Sequence, residues 1–189
     1  MTPLQVAIAV ARAFEAIGVG YFLGGSMASS FQGQPRLTND LDFVVRLRAD
    51  DVESLKGALG PDFDVDEVAL LDAIKRRGSW NIFHLPTVTR VDLFLVKEGE
   101  YDAEEFARRQ SFEVSPGERI FLKSAEDSVL RKLWWFRAGG ESSTQQLWDV
   151  VEVLRSQQGR LDEAYVRTWA AKLGLGDLLD RARGLVKTA

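Results

Sequence analysis

Apolar residues recur at two different spacings along the chain, and the change of spacing divides the chain into two parts. In the first part, stretches with a helical repeat alternate with short apolar runs that are typical of strands. From Ser124 onward only the helical repeat remains. We therefore predict an α+β domain over residues 1–123, with a mixed β-sheet flanked by helices, followed by a C-terminal helical bundle over residues 124–189.

The individual elements follow from these spacings and from the glycine and proline residues that interrupt them. Strands are predicted at 21–23, 40–45, 80–85 and 88–96, and in a hairpin at 111–114 and 118–122. Helices are predicted at about 2–17, 26–33, 51–59, 66–77 and 102–109, and then at 125–138, 143–157, 162–173 and 177–187.

Composition excludes several kinds of site. Of the 189 residues, 46% are hydrophobic and 28% are charged, which is ordinary for a globular protein with a packed core. With no cysteine and a single histidine, any metal site must consist of carboxylates. The net charge of −4 gives no overall attraction to nucleic acid, although a local basic patch is compatible with it.

The chain carries no recognisable targeting or membrane segment. No apolar run approaches the roughly 20 residues that a membrane-spanning helix needs. The N-terminus also lacks the basic flank and apolar core of a secretory signal. We therefore expect a cytoplasmic protein with no membrane partner.

The stretch 21–30 combines an apolar strand with a glycine turn. Gly24, Gly25 and Ser26 follow the strand and lead into a predicted helix. Backbone N–H groups that are free at the start of a helix favour an anion such as phosphate. Taken alone, Gly-Gly-Ser is also compatible with an ordinary strand-to-helix turn.

Aspartates on two of the predicted strands are candidate metal ligands. Since strand side chains alternate between faces, Asp40 and Asp42 should point to one side of their strand. Two carboxylates this close usually share a cation, and oxygen ligands of this kind suit Mg²⁺ or Mn²⁺. The alternative is a cap or a solvated strand end. Asp92 lies in another apolar strand, where burial of an ionised carboxylate without a partner would be costly.

The spacing of these residues resembles a family signature. Gly25-Ser26, thirteen intervening residues and Asp40-Leu41-Asp42 resemble the motif of the nucleotidyltransferase superfamily of polymerase-β type. The resemblance implies the nucleotidyltransferase fold. It further implies that Asp40 and Asp42 hold the metal, and that Asp92 completes a second metal site or acts as a base. Gly24, Gly25 and Ser26 would then hold the phosphates of a nucleotide.

The helical part resembles one branch of that superfamily, the AbiEii-like nucleotidyltransferases of abortive-infection and toxin systems. The resemblance lies in residues 124–133 and 145–150, and it implies that Lys132 and Asp149 join the active site. Arg36 stands where that branch places a basic residue, and with Lys132 it would neutralise phosphate charge. The alternative for Lys132 is a helix position that simply faces solvent.

The resemblance implies a metal-dependent enzyme that transfers a nucleoside monophosphate from an NTP to an acceptor hydroxyl or phosphate. The acceptor could be an RNA end such as that of tRNA, a protein or a small molecule, and an antitoxin is a further candidate partner. The net charge argues against large RNA and the toxin-like features argue for it. Two alternatives stay open: a catalytically inactive nucleotide-binding or interaction module, and a small-molecule kinase, which the motif spacing fits less well.

Overall fold

The structure is a computed structural model that describes residues 1–33 and 39–188. These residues divide into two units. The first consists of residues 1–27 and 39–123, and the second of residues 28–33 and 124–188. The expected mixed α+β architecture is confirmed. That residues 1–123 act as a catalytic core and residues 124–189 as a helical subdomain stays a prediction.

The first unit contains a seven-stranded mixed sheet. Its strands are β1 (Tyr21–Leu23), β2 (Leu41–Val45), β3 (Phe63–Asp64), β4 (Ser79–His84), β5 (Thr89–Leu95), β6 (Gln110–Ser115) and β7 (Glu118–Leu122). Their order across the sheet is β3-β4-β5-β2-β1-β7-β6. Strand β2 is parallel to β5, and β1 is parallel to β7. The remaining neighbours are antiparallel, including β4–β5 and the predicted hairpin β6–β7.

Helices accompany the sheet in the first unit and make up the second unit. The first unit contains α1 (Pro3–Ala16), α3 (Val52–Leu59), α4 (Glu67–Lys75) and α5 (Glu100–Ala107). Helix α2 (Gly25–Gln32) begins in the first unit and continues into the second. The second unit then contains α6 (Ala125–Ala138), α7 (Thr144–Ser156), α8 (Glu163–Lys172) and α9 (Gly176–Thr188). Of the helices in the described ranges, none combines the length and apolar character that a bilayer crossing requires.

One face of β2 and β5 packs into the core of the first unit. In β2 and β5 the apolar residues at alternate positions are buried, and those between them are partly exposed. The rings of Phe14, Tyr21 and Phe43 pack together with centroids 5.6–5.8 Å apart, which fixes α1 on this face. Because the period along a strand is two, burial of Phe43 on this face turns Asp42 toward the other one.

Three details differ from the sequence prediction. Strand β2 begins at Leu41, so Asp40 precedes the strand instead of opening it. Strand β3 was not predicted, because a two-residue strand leaves no periodic pattern to detect. The helix predicted at 51–59 begins at Val52 as α3, and the Asp51 carboxylate accepts the backbone N–H of Arg48 at 2.9 Å, one residue before a short 3₁₀ turn.

Candidate active site

The glycine turn lies at the carboxyl end of β1. The N–H of Gly24 donates to the carbonyl oxygen of Asp42 at 2.7 Å, which holds the turn against β2. Gly25 has a positive φ of 56°, a conformation that glycine adopts without steric strain. A Cβ atom at Gly25 would overlap the Asp42 carboxylate, lying 2.7 Å from its Cγ. Only glycine therefore allows the carboxylate to lie directly on this turn.

Asp42 and Asp92 are neighbours across the parallel pair β2–β5. Their Cα atoms are register partners, and residues in register on adjacent strands point to the same face. Adjacent strands are about 4.8 Å apart, so the two carboxylates are within reach of one cation. Both residues are partly buried, and the Asp92 side chain is only 15% exposed. The alternation predicted for Asp42 is confirmed in β2, and β5 shows the same alternation around Asp92.

Arg90 binds Asp92 from two positions earlier on the same strand. Its Nε and Nη2 atoms donate to Oδ1 of Asp92 at 2.9 and 2.6 Å. The guanidinium is about half exposed, and the carboxylate is largely shielded from solvent. The sequence contains the signal for this pair, since residues two apart on a strand share a face, but it gives Arg90 no role. A positive charge is thus already held at Asp92.

Not all of the predicted metal ligands are gathered into one cluster. Asp40 is exposed and lies just before β2. Across residues 1–33 and 39–188, no group of three His, Cys, Asp or Glu side chains is arranged to hold a metal ion. The chemistry of the donor set nevertheless fits Mg²⁺ or Mn²⁺, because Asp42 and Asp92 offer hard carboxylate oxygens side by side. The metal site of Asp40, Asp42 and Asp92 therefore stays a prediction, and Arg36 lies outside the described residues.

A second charged pair, which the sequence reasoning missed, adjoins the glycine turn. Strand β7 is parallel to β1 with Leu23 opposite Leu122, so that Lys123 emerges beside Gly24. Its Nζ lies 3.1 Å from Oε1 of Glu105, and both side chains are buried. Lys123 directly follows an apolar strand and Glu105 lies in a helix. Neither belongs to a recognisable motif that could have pointed to a site.

Lys132 and Asp149 are paired within the second unit. Lys132 Nζ donates to Oδ2 of Asp149 at 2.8 Å, and Gln145 Nε2 donates to the other carboxylate oxygen at 2.7 Å. The two charged side chains are only 9% and 13% exposed, so Lys132 is not a solvated helix residue. The structure thus brings these two predicted residues together. Their part in catalysis stays a prediction.

No family model and no curated protein matches the sequence. Several solved structures do match the fold, including the following three. The antibiotic-resistance factor ANT(2″)-Ia in solution has a TM-score of 0.56 at 15% identity, covering 97% of this chain and 99% of its own. A crystal structure of ANT(2″)-Ia in complex with adenylyl-2″-tobramycin has a TM-score of 0.54 at 13% identity, with 90% and 97% covered. An antigenic nucleotidyltransferase-like protein from Paracoccidioides brasiliensis has a TM-score of 0.52 at 16% identity, covering 95% of this chain and 91% of its own. The chain has the nucleotidyltransferase fold.

Within this nucleotidyltransferase fold, a separate cavity of about 490 Å³ lies in the first unit. It adjoins the carboxyl ends of β2 and β5, away from the glycine turn. Four cationic residues line it, Arg46, Arg48, Arg77 and Lys97, and none of the predicted site residues does.

The predicted fold is confirmed by the structural matches. The narrower resemblance to the AbiEii-like branch stays a prediction.

Proposed function

We propose that this chain is a metal-dependent nucleotidyltransferase, which moves a nucleoside monophosphate from an NTP to an acceptor and releases pyrophosphate. The observation that carries the proposal is the pair Asp42 and Asp92, in register on one sheet face, with Asp42 lying on the glycine turn at Gly25. Carboxylates for a divalent cation and N–H groups for phosphate thus adjoin each other on a fold shared with nucleotidyltransferases.

Each predicted residue has a role in this proposal. Asp42 and Asp92, together with Asp40, hold Mg²⁺ or Mn²⁺. A bound divalent ion offsets phosphate charge and lowers the pKa of an acceptor hydroxyl. The N–H groups of Gly25 and Ser26 and the hydroxyl of Ser26 hold the β- and γ-phosphates, and Gly24, whose own N–H donates to the Asp42 carbonyl, lets the turn lie close to them. For a metal to bind Oδ1 of Asp92, the Arg90 guanidinium must first leave that atom.

The reaction forms one bond and breaks one. The acceptor oxygen bonds to the α-phosphorus as the bond from that phosphorus to the pyrophosphate oxygen breaks. The acceptor proton passes to a carboxylate, for which Asp92 is the candidate base. Arg36 and Lys132, the latter positioned by Asp149, are proposed to neutralise the negative charge on the phosphates.

For the acceptor we propose a small hydroxyl-bearing molecule. One of the structures sharing this fold contains an adenylylated small molecule, adenylyl-2″-tobramycin. A net charge of −4 favours a neutral or cationic acceptor over a polyanionic one. Transfer to tRNA or to a protein, an antitoxin partner and a cytoplasmic location stay predictions from the sequence.

The proposal is tested by incubating the protein with each α-labelled NTP, Mg²⁺ or Mn²⁺, and three acceptor sets: a panel of amino sugars, total RNA and cell extract. Pyrophosphate release and a labelled acceptor are expected, and both should be lost in Asp42→Asn. Release of ADP instead of pyrophosphate would indicate the kinase alternative. If no NTP and no acceptor gives pyrophosphate above the Asp42→Asn level, the proposed activity is wrong.

One observation favours the second candidate, a catalytically inactive module that binds nucleotide. Asp92 is held by Arg90, and no three-carboxylate group is assembled in the part of the chain that the structure describes. An inactive module would bind NTP, as seen by a shift in melting temperature, yet would never transfer label. Metal dependence of the shift, and its loss in Asp42→Asn, would locate that binding at the same turn.

A further inference from the structure

The buried pair Lys123–Glu105 lies against the turn that the proposed function assigns to the phosphates. The backbone N–H of Lys123 donates to the carbonyl oxygen of Leu23 at 3.0 Å, immediately before the turn. Its ammonium lies 5.5 Å from the centre of the Phe22 ring. The side chains of Lys123 and Glu105 are 10% and 4% exposed. A lysine ammonium is therefore held beside the turn and largely out of water.

The side chain of Lys123 limits the space available at Gly24. A Cβ atom at Gly24 would lie 3.3 Å from Cε and 3.5 Å from Nζ of Lys123. The first distance is tighter than ordinary van der Waals contact, so a larger residue would push the lysine away. The two glycines of the turn thus adjoin opposite charges, Gly24 the ammonium of Lys123 and Gly25 the carboxylate of Asp42.

Stability alone is a weak reason for such a pair. Burying two charges removes their hydration, and the attraction between them does little more than offset that loss. Apolar residues of similar size at such positions are often equally stable or more so. An ammonium has three N–H donors, so one lysine can interact with a carboxylate and a phosphate at the same time.

We propose that Lys123 binds the triphosphate of the NTP at the glycine turn, and that Glu105 is a positioning residue that holds the ammonium there. The proposal rests on the proposed function, because it presumes a nucleotide at this turn. Shielding from bulk water strengthens the attraction between the ammonium and a phosphate relative to that of a surface lysine. The competing explanation is a structural pair that only fixes α5 to the end of β7.

The experiment measures the dissociation constants of inorganic tripolyphosphate and of a non-transferable NTP analogue, with Mg²⁺, by calorimetry on the full chain. The double variant Lys123→Met/Glu105→Leu removes both charges and leaves neither one buried alone. The matched control is Arg12→Gln/Glu118→Gln, an ion pair of the same unit whose arginine is well exposed. Urea unfolding of each variant reports whether the fold is kept.

Both probes should bind about 10- to 100-fold more weakly to Lys123→Met/Glu105→Leu, the range for a lost charge-assisted hydrogen bond. The control should leave both constants unchanged. Glu105→Gln gives a decisive second result, because it removes the competing negative charge and keeps an acceptor for the ammonium. If Lys123 binds phosphate, this variant should bind tripolyphosphate more tightly than the unaltered protein, whereas a merely structural pair predicts no gain.

The outcomes separate this inference from the proposed function. Unchanged binding in Lys123→Met/Glu105→Leu, or no gain in Glu105→Gln, would overturn the inference while pyrophosphate release could still support the activity. Lys123-dependent binding without any transfer would support the anion site and refute the activity. If Lys123→Met/Glu105→Leu fails to fold, the affinity of Glu105→Gln for tripolyphosphate decides between phosphate binding and a structural pair. If the unaltered protein binds neither probe, the inference is wrong.

Discussion

Gly25→Ala tests whether the Asp42 carboxylate lies on the glycine turn. The substitution has two separable effects. An alanine at a φ of 56° costs about 1–2 kcal/mol in the left-handed region, less a few tenths for the stiffer unfolded chain. The new Cβ would also lie 2.7 Å from Cγ and 3.0 Å from Cβ of Asp42, so the carboxylate must move. Overpacking of this kind adds about 1–3 kcal/mol.

Gly18→Ala is the matched control. Gly18 also has a positive φ, of 69°, yet a Cβ there would meet nothing within 4 Å. In Gly18→Ala the free energy of unfolding should therefore fall only by the cost of the backbone conformation, about 1 kcal/mol. The difference between the two variants measures the collision with Asp42 and is expected to be about 1–3 kcal/mol.

Two measurements check this reasoning. Urea unfolding followed by circular dichroism gives the free energy of unfolding of each variant. Melting temperature with and without Mg²⁺ and each NTP reports ligand binding, which Gly25→Ala should lose and Gly18→Ala should keep. Equal destabilisation of the two variants, with nucleotide binding intact in both, would show that Asp42 does not lie on the turn.

Two further predictions concern Arg90 and Tyr21. Arg90→Gln frees the Asp92 carboxylate and should tighten Mn²⁺ binding by up to about 5-fold, since a half-exposed ion pair is worth about 0–1 kcal/mol. Calorimetry with Mn²⁺ measures this, with the similarly exposed Arg119→Gln as control. Weaker binding in Arg90→Gln would contradict the prediction, and unchanged binding in Asp92→Asn would exclude Asp92 as a ligand. Burial, together with the hydrogen bond from its hydroxyl to Glu15, raises the pKa of Tyr21 above its ordinary value. Because the folded pKa lies above the unfolded one, this contribution to stability is complete below about pH 10 and is lost as the pH rises further. Tyr21→Phe should therefore flatten the alkaline loss of stability and remove one late-ionising group from the absorbance titration at alkaline pH; an unchanged titration would refute it.

Elements with a clear apolar period could be predicted from the sequence, and contacts between distant segments could not. The alternation in β2 and β5 identified which face Asp42 and Asp92 would take along each strand, because burial of residues such as Phe43 and Leu93 dictates it. No local pattern of apolar residues specifies that these two strands pair in parallel with Asp42 opposite Asp92. That register depends on packing of the whole sheet.

The residues missed by sequence reasoning share one property: their partners lie far away in the chain or carry no motif. Glu105 lies in α5 and Lys123 directly after β7, and the pairing depends on tertiary contacts between these distant segments. Arg90 was visible two residues from Asp92, but strand spacing alone does not distinguish an ion pair from a solvated charge. Asp40 was expected to open β2, and its position depends on where backbone pairing begins, which side-chain patterns do not determine.

The two glycines also indicate what kind of ligand the turn should prefer. Gly24 adjoins the cation Lys123, and Gly25 adjoins the anion Asp42. A free phosphate chain would be attracted by the first charge and repelled by the second, and a free divalent ion would experience the reverse. A metal–triphosphate complex carries both signs and can satisfy both side chains together. We therefore expect Mg²⁺ and triphosphate each to raise the affinity for the other, by the same factor in both directions, since coupling between two ligands is reciprocal.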